Sequence, residues 1–175
     1  MKIERAHLRE LPLRLKEYFE ISSGGKQDRR ILLLTLEGEG CEAWGECVVG
    51  EDPGYSYETT ETAWHMLTDF ILPAVVGRDA DGPEDVLAPV RWIRGHRMAK
   101  ASVEMAAWDL AARVDGVSLS AKLGGTRPAV PVGVPSTRTR ITTTRFRTPR
   151  TPTSSSSPPT AGSSRRRTVA TPSWA

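Results

Sequence analysis

The stretch Arg29–Val49, RRILLLTLEGEGCEAWGECVV, predicts a β-hairpin. Its first part, Ile31–Leu36, is a short apolar run that is typical of a buried strand. The segment EGEG, Glu37–Gly40, is a turn signal because glycine adopts the backbone conformations that tight turns require. The segment CEAWGECVV, Cys41–Val49, then returns as the second strand of the hairpin.

An imperfect alternation of apolar residues before this hairpin predicts a further strand over Ile3–Leu13. The connecting segment KEYFEISSGGKQD, Lys16–Asp28, is polar and contains glycine, so we expect a loop there. Loops of this length tend to be functional. The first part of the chain is therefore predicted to be a three-stranded antiparallel meander with a long loop at its first connection.

The hydrophobic period changes to that of a helix after a second predicted loop, Gly50–Tyr57. Ser56 is expected to cap the first helix and Pro73 to limit it. One face of this helix would carry apolar residues, namely Ala63, Leu67, Phe70 and Ile71. Asp81-Gly82-Pro83 resembles another helix start.

The clearest helix is predicted over Arg97–Gly116, RMAKASVEMAAWDLAARVDG, with Gly116 as its C-cap. Its apolar stripe comprises Val103, Ala106, Ala107, Leu110 and Val114. Small residues along one side of this helix permit the close approach of a sheet or of another helix. A short helical turn, Leu119–Leu123, and a strand, AVPVGV at Ala129–Val134, would follow. Strands followed by helices indicate an α+β fold with a helical bundle.

The chain changes character after Val134. Residues 135–175 hold 8 Arg, 11 Thr, 8 Ser and 6 Pro in 41 positions, with no Asp, Glu or Lys. The tail therefore carries a charge of +8, and the first 134 residues carry −5, because the whole chain carries +3. A segment with so few large apolar residues cannot offset its chain entropy by burial, so we expect it to be disordered.

Composition also excludes several classes of protein. Six residues of extended strand would separate Cys41 from Cys47 by roughly 20 Å, too far for a disulfide, so both thiols are expected to be reduced. The segment MKIERAHLRELPL at Met1–Leu13 has no long apolar run and is not a signal peptide. No stretch approaches 18 consecutive apolar residues, so no membrane association is expected. These features predict a cytoplasmic protein.

Four stretches of the sequence resemble the enolase superfamily, specifically its o-succinylbenzoate synthase and N-acylamino acid racemase group. The helix GHRMAKASVEMAAWDLAAR, Gly95–Arg113, is the most specific of them. The others are LLLTLEGEGCEAWGECV at Leu32–Val48, PGYSYET at Pro53–Thr59 and SLSAKLGGTRPAVPVGV at Ser118–Val134. The resemblance covers nearly all of residues 1–134.

This resemblance implies that residues 1–128 form an enolase-like N-terminal capping domain and residues 129–134 the first strand of a (β/α) barrel. The two loops of this capping domain would contact a small-molecule carboxylate substrate. The loop residues to which the resemblance assigns this contact are Phe19, Ser22, Ser23, Gly24, Tyr55 and Ser56. In the family, barrel lysines abstract the proton α to a carboxylate, and three carboxylates hold Mg²⁺ beside the developing oxyanion. The implied reactions are dehydration to o-succinylbenzoate in menaquinone synthesis and N-acylamino acid racemisation.

The chain departs from the family after residue 134. It has no lysine after Lys122 and no carboxylate side chain after Asp115, so the barrel bases and metal ligands are missing from it. No residue of this chain is therefore assigned to catalysis or to a metal, and we expect the chain itself to be inactive without the missing barrel. Abrupt loss of acids and lysines indicates a change of reading frame in a GC-rich gene; a native disordered extension is the competing interpretation. Resequencing of the gene tests the change of reading frame. If the other downstream frames encode no Lys-x-Lys strand, the frameshift interpretation is wrong.

Other functions remain open from the sequence. Within enzymes, the alternatives are a dipeptide epimerase or a muconate cycloisomerase-like protein. Outside enzymes, a small binding module with a basic arm at Arg165–Arg167 is the alternative, because arginines contact nucleic acid phosphates. Any polycation binds RNA weakly at low salt, so weak RNA binding by this arm would not indicate a specific partner. We do not expect specific nucleic acid binding. Homo-oligomerisation is a further expectation if the apolar stripe of the Arg97–Val114 helix is left uncovered.

Overall fold

The computed structural model of the chain describes residues 1–21, 24–131 and 164–170. Its strands form one antiparallel sheet in the order β3-β2-β1-β4. The strands are β1 (Arg5–Ile21), β2 (Gly24–Gly38), β3 (Cys41–Cys47) and β4 (Arg166–Ala170). The first three strands are the predicted meander, and the α+β fold class is confirmed.

The helices lie between β3 and β4 in the sequence. A continuous helical run consists of α1 (Thr60–Met66), a π-helical turn (Leu67–Ile71) and α2 (Leu72–Val75). Two 3-10 turns follow, Pro83–Asp85 and Ala88–Val90, and then the long helix α3 (Arg97–Val114) and the short helix α4 (Leu119–Lys122). Gly116, at a φ of 68°, ends α3 as predicted, and its amide donates to the Arg113 carbonyl at 3.1 Å.

The core lies between one face of the sheet and the helices. Alternate residues of the strands are buried on this face, among them Ala6, Leu8, Leu32, Leu34, Leu36, Ala43 and Cys47. The helices contribute Ala63, Leu67, Ile71, Val103, Ala106, Ala107 and Leu110. These are most of the residues that the helical period selected; Phe70 and Val114 are exposed instead.

Helix α3 packs unusually close to β3. A Cβ atom built on Gly45 would lie 2.0 Å from the Ser102 carbonyl oxygen and 3.1 Å from the Ala106 Cβ atom. Glycine at position 45 and small residues on α3 therefore allow the helix backbone to reach the sheet. This confirms the close approach predicted from the small residues of α3.

The prediction of a loop at Lys16–Asp28 is wrong. Strands β1 and β2 continue through this segment as a long hairpin, in which Phe19 pairs with Lys26 and Ile21 with Gly24. The register shifts between Arg14 and Phe19. The side chains here are polar because this part of the hairpin extends beyond the core, so polarity indicated exposure and not loop structure.

The first helix begins and ends at other residues than predicted. Thr59, not Ser56, is its N-cap, and Thr59 and Thr62 form a reciprocal capping box. Pro73 does not limit the helical run, which continues to Val75. In the π-helical turn the Leu72 amide donates to the Leu67 carbonyl, and this wider turn accommodates the proline that an α-helical interior would exclude.

The predictions for the tail are corrected for the residues that the structure describes. Residues Arg166–Ala170 form strand β4, which pairs with the outer edge of β1. An expectation of disorder over 135–175 is therefore wrong for these residues, since pairing to an existing strand satisfies backbone groups without a core. Residues 132–163 and 171–175 lie outside the described residues, and with them the second half, 132–134, of the predicted barrel strand 129–134.

Both cysteines are free thiols, as the sequence predicted. Burial raises the pKa of the Cys47 thiol to about 11. Cys41 is partly exposed at the start of β3. Among the helices of the described ranges, none is long and apolar enough to cross a membrane.

We expect thiol-directed labelling to distinguish these two cysteines. The thiolate is the reactive form, and burial keeps Cys47 both protonated and inaccessible, so iodoacetamide at pH 8 should modify Cys41 alone in the native protein. In urea both should react. Peptide mass spectrometry measures this, and equal labelling of Cys47 in the native state would contradict the packing of β3.

Candidate functional site

The candidate site lies where the outer part of the β1–β2 hairpin meets the loop that follows β3. The Lys26 Nζ atom lies 2.6 Å from the Asp52 Oδ2 atom and links the two segments. A hydrogen bond from Lys26 also holds the pKa of Asp52 below its usual range. Because Lys26 lies opposite Phe19 in the hairpin register, this ion pair brings the Phe19 and Tyr55 segments together.

Phe19 is an exposed aromatic residue on the hairpin. Its side chain is 48% exposed and lines a shallow depression of about 330 Å³, together with Leu15, Lys16, Glu17 and Arg29. Gly24 begins β2 at a φ of 127°, a conformation that other residues rarely adopt. Ser22 and Ser23 lie outside the described residues, so their predicted role stays a prediction.

Tyr55 and Ser56 occupy the second loop, which has no regular secondary structure. Tyr55 is 90% exposed, so its ring is free to contact a ligand or another domain. The Ser56 hydroxyl accepts a hydrogen bond from the Glu58 amide at 3.2 Å. Ser56 therefore stabilises the turn before α1 and does not cap the helix.

The second loop also contacts the turn before α3. The rings of Tyr57 and His96 meet edge-on, with their centroids 6.3 Å apart. His96 has a φ of 48°, in the left-handed region, and its buried Nδ1 atom has no hydrogen-bond partner among the described residues. This arrangement fixes the end of the loop against the start of α3.

Glu58 is a buried acid that the sequence pattern did not identify. Its side chain is 2% exposed, and its carboxylate accepts from the Met98 amide at 3.0 and 3.1 Å and from the Ala99 amide at 3.1 Å. Helix α3 has no side-chain cap of its own, so Glu58 satisfies its first amides and interacts favourably with its dipole. In the sequence Glu58 lies directly before the N-cap of the other helix, α1, where an acid is common, so its position gives no sign of a contact with α3.

The described residues do not fit a magnesium site. Within the ranges 1–21, 24–131 and 164–170, no three His, Cys, Asp or Glu side chains lie together in a way that could hold a metal ion. Two acids near the site are already paired: Asp52 with Lys26, and Glu58 with helix amides. The groups that the described part of this site presents to a ligand are the exposed aromatic side chains of Phe19 and Tyr55.

Residues 5–124 match the family described as mandelate racemase / muconate lactonizing enzyme, N-terminal domain. The chain belongs to this family. The match spans the sheet β1–β3 and the helices α1–α4, and it confirms the resemblance to the enolase superfamily. The described architecture is that of an enolase-like capping domain.

Two curated relatives show which kinds of enzyme within this family the chain is similar to. The chain is 42% identical over 135 residues to o-succinylbenzoate synthase of Bacillus subtilis. It is 48% identical over 134 residues to N-succinylamino acid racemase of Thermus thermophilus. Each match covers 77% of this chain but only 36% of the relative. The chain thus spans about a third of the length of the relatives it matches.

Solved structures show the same capping-domain fold. An enolase-superfamily member from Listeria innocua matches with a TM-score of 0.72 and 31% identity, over 76% of this chain and 36% of that one. A mandelate racemase/muconate lactonizing enzyme from Roseovarius nubinhibens, complexed with magnesium, matches with a TM-score of 0.67 and 27% identity. That match covers 77% of this chain and 36% of the Roseovarius chain.

Proposed function

We propose that residues 1–128 are the capping domain of an enzyme of the o-succinylbenzoate synthase / N-succinylamino acid racemase type. The similarity to one synthase and one racemase, at 42% and 48% identity, carries this proposal. The capping domain would cover a carboxylate substrate, and the missing barrel domain would be its partner. Both reactions of the group begin with removal of the proton α to a carboxylate.

The role of this chain in that reaction is to bind substrate and exclude water. Phe19 and Tyr55 are exposed on two segments that Lys26 and Asp52 hold together, so both rings can close over one ligand. Closing a site expels water and strengthens the electrostatic interactions inside it. Magnesium, when bound by the barrel carboxylates of such enzymes, stabilises the negative charge that develops on the substrate.

The proton abstraction itself is assigned to groups outside this sequence. After Lys122 the chain has no lysine, and after Asp115 it has no carboxylate side chain. We therefore propose that the chain alone does not catalyse the reaction. Ser22, Ser23 and Gly24 remain proposed substrate contacts, together with Phe19.

A chimera tests the proposal. Residues 1–128 would be joined to the Thermus thermophilus racemase in place of its own first domain, which is 48% identical. We expect the chimera to racemise N-succinylamino acids and to dehydrate the cyclohexene carboxylate precursor of o-succinylbenzoate. A folded chimera that is inactive on both, while the parent racemase is active, would contradict the proposal.

In the active chimera, Tyr55→Ala is expected to raise KM about tenfold with little change in kcat, since it removes uniform binding. Trp92→Ala is the matched control, because Trp92 is an exposed aromatic residue outside the two site segments. Its KM should stay at the parental value. If both substitutions changed KM equally, Tyr55 would not be a substrate contact.

A separate assay, on the natural gene product, distinguishes the alternatives within the superfamily. The chain is also 31% identical over 134 residues to a chloromuconate cycloisomerase of Cupriavidus pinatubonensis. Because the barrel supplies the reacting groups, assays of the natural gene product with its barrel would compare succinylated amino acids, dipeptides and muconates directly. Preference for dipeptides or muconates would favour these alternatives.

A further inference from the structure

A groove runs between the outer edge of β1 and the helical run that begins with α1. We call it the β1–α1 groove and define it by Arg5–Glu10 on the strand and by Glu61, Trp64 and Asp69 on the helical run. Strand β4, with the preceding Arg165, lies in this groove. The segment belongs to the basic tail, which lies outside the family match at residues 5–124.

Backbone pairing fixes the segment in one register. Arg5 lies opposite Ala170, and Arg9 lies opposite Arg166. The Glu10 amide donates to the Arg165 carbonyl at 3.0 Å and continues the ladder by one residue. Adding a strand to an exposed sheet edge gives affinity through main-chain hydrogen bonds, and alternate side chains give specificity.

The first alternate side chain, Arg165, is held by two carboxylates and one ring. Its guanidinium donates to both carboxylate oxygens of Glu61, at 3.0 and 2.7 Å, and its Nε atom donates to Glu10 at 2.7 Å. It also lies 4.9 Å from the centroid of the Trp64 ring. Glu10 is only 7% exposed, and its two carboxylate oxygens are divided between Arg30, whose Nη1 atom donates to Oε1 at 2.8 Å, and Arg165, which donates to Oε2.

The next two alternate side chains follow the same face. Arg167 lies 3.3 Å from the Asp69 carboxylate. Val169, opposite Ala6, packs against the hydrophobic core. On the other face, the Thr168 hydroxyl lies 3.0 Å from the His7 Nδ1 atom. The groove thus contacts basic residues at positions 1 and 3 of the segment and an aliphatic residue at position 5.

The tail sequence contains this pattern once. Arg-x-Arg occurs at Arg138, at Arg145 and at Arg165, but the residue two positions after the second arginine is Thr142, Pro149 and Val169 respectively. Only the last segment therefore offers an aliphatic side chain at the position opposite Ala6. Charge alone does not explain why residues 165–169 occupy the groove.

We propose that the β1–α1 groove is a strand-addition site for an extended Arg-x-Arg-x-aliphatic peptide, and that residues 165–169 fill it within the same chain. The covalent link makes this an intramolecular event, so the tail outcompetes free peptide unless its side-chain contacts are weakened. Two of the three consecutive arginines are then engaged by carboxylates and not by nucleic acid. This inference does not depend on the proposed enzymatic function.

The test uses the full chain with Arg165→Ala and Arg167→Ala, which leaves the groove intact. Hydrogen exchange of the Glu10 amide reports occupancy, because this amide donates to the strand in the groove. We expect exchange at least about tenfold faster in the double variant, with amide protection between β2 and β3 unchanged as evidence of folding. Unchanged exchange at Glu10 would overturn the proposal.

A synthetic peptide of residues 164–170, SRRRTVA, is then added to the double variant. It should restore slow exchange at Glu10, whereas the same peptide with Thr168 and Val169 exchanged should not. Equal restoration by both peptides would mean that charge alone selects the segment, and it would overturn the proposed Arg-x-Arg-x-aliphatic pattern.

Dilution tests whether the strand in the groove belongs to the same chain. In the unmodified chain, exchange of the Glu10 amide should be independent of protein concentration. Faster exchange on dilution would show that the strand comes from a second copy of the chain, and it would overturn the proposal that each chain fills its own groove.

Groove variants provide the complementary test with an intact tail. Glu61→Gln should speed exchange of the Glu10 amide, because it removes one of the two carboxylates that hold Arg165. Glu20→Gln is the matched control, since Glu20 is an exposed acid on β1 outside the groove. A larger effect of Glu20→Gln than of Glu61→Gln would contradict the assignment.

The groove should also release the segment in acid. The charged groups at this end of it are Glu10, Arg30, Glu51, Glu61 and Arg165. Hydrogen bonding from Arg165 lowers the pKa of Glu61 below its usual range, so docking is fully stabilised above the ordinary glutamate pKa near 4.5 and weakens as the pH falls through the lowered value. Exchange at Glu10, corrected for its intrinsic pH dependence, should therefore accelerate below that range. A pH-independent protection factor would contradict the role of Glu61.

Discussion

Replacing Glu58 by alanine is expected to lower the free energy of unfolding by about 3 kcal/mol, because hydrogen bonds to a charged group contribute about 1.5–3 kcal/mol. The carboxylate is buried and accepts from the amides of Met98 and Ala99, which begin α3. Without it, these amides would lose their partner in the protein and the helix would lose a favourable charge at its N-terminus. Urea denaturation followed by circular dichroism measures the effect.

Two further substitutions make this prediction specific. Glu58→Gln keeps the shape and one acceptor but removes the charge, so we expect about half of the alanine effect. Glu104→Ala, at an exposed acid on α3 itself, should change the free energy of unfolding by no more than about 0.5 kcal/mol. If Glu58→Ala were as mild as Glu104→Ala, the carboxylate would not anchor α3.

Gly45→Ala is expected to be at least as damaging, with a loss of about 3 kcal/mol or more. The added methyl group would lie 2.0 Å from the Ser102 carbonyl oxygen, which is backbone and cannot rotate away. Helix α3 would have to move away from β3 and open the core around Ala106 and Val103. Thermal and urea unfolding should both show the loss.

The control for this substitution is Glu42→Ala, on the same strand but exposed to solvent. It adds no group between the sheet and the helix, so its unfolding midpoint should remain close to that of the unmodified protein. A Gly45→Ala protein with the same midpoint would show that α3 and β3 do not approach as closely as described.

The local patterns predicted the parts of the fold that depend on neighbouring residues. The apolar run Ile31–Leu36 and the turn after it are short-range signals, and they gave the hairpin of β2 and β3 correctly. The stripe on α3 identified the face that contacts the sheet, except for Val114 in the last turn, which is exposed. Resemblance to a known family then placed these elements in the capping-domain fold.

Features that depend on distant partners escaped the sequence analysis. Glu58 contacts amides 40 and 41 residues away, so no local pattern distinguishes it from a first-turn acid. Strand β4 requires the edge of β1, which is about 160 residues earlier in the chain. The hairpin over Lys16–Asp28 lacks apolar alternation because it has no core to face, and its polarity resembled that of a loop.

The candidate site was predicted only in part. Phe19 and Tyr55 are exposed on adjacent segments, as a substrate-covering role requires, whereas Ser56 stabilises a local turn. The link between the segments, Lys26 on β2 to Asp52 in the following loop, was not predicted, because an ion pair between residues far apart in the sequence has no signature in either segment. Resemblance supplied the site residues, and geometry shows which of them are free to contact a ligand.

The most direct test of the account is turnover by this 175-residue chain in the presence of Mg²⁺ and the cyclohexene carboxylate precursor of o-succinylbenzoate. We propose that the chain covers a substrate but lacks the lysines and carboxylates that carry out the reaction. We therefore expect no product above the uncatalysed rate, under conditions in which a full-length relative is active. Measurable turnover that copurifies with this chain would contradict this proposal.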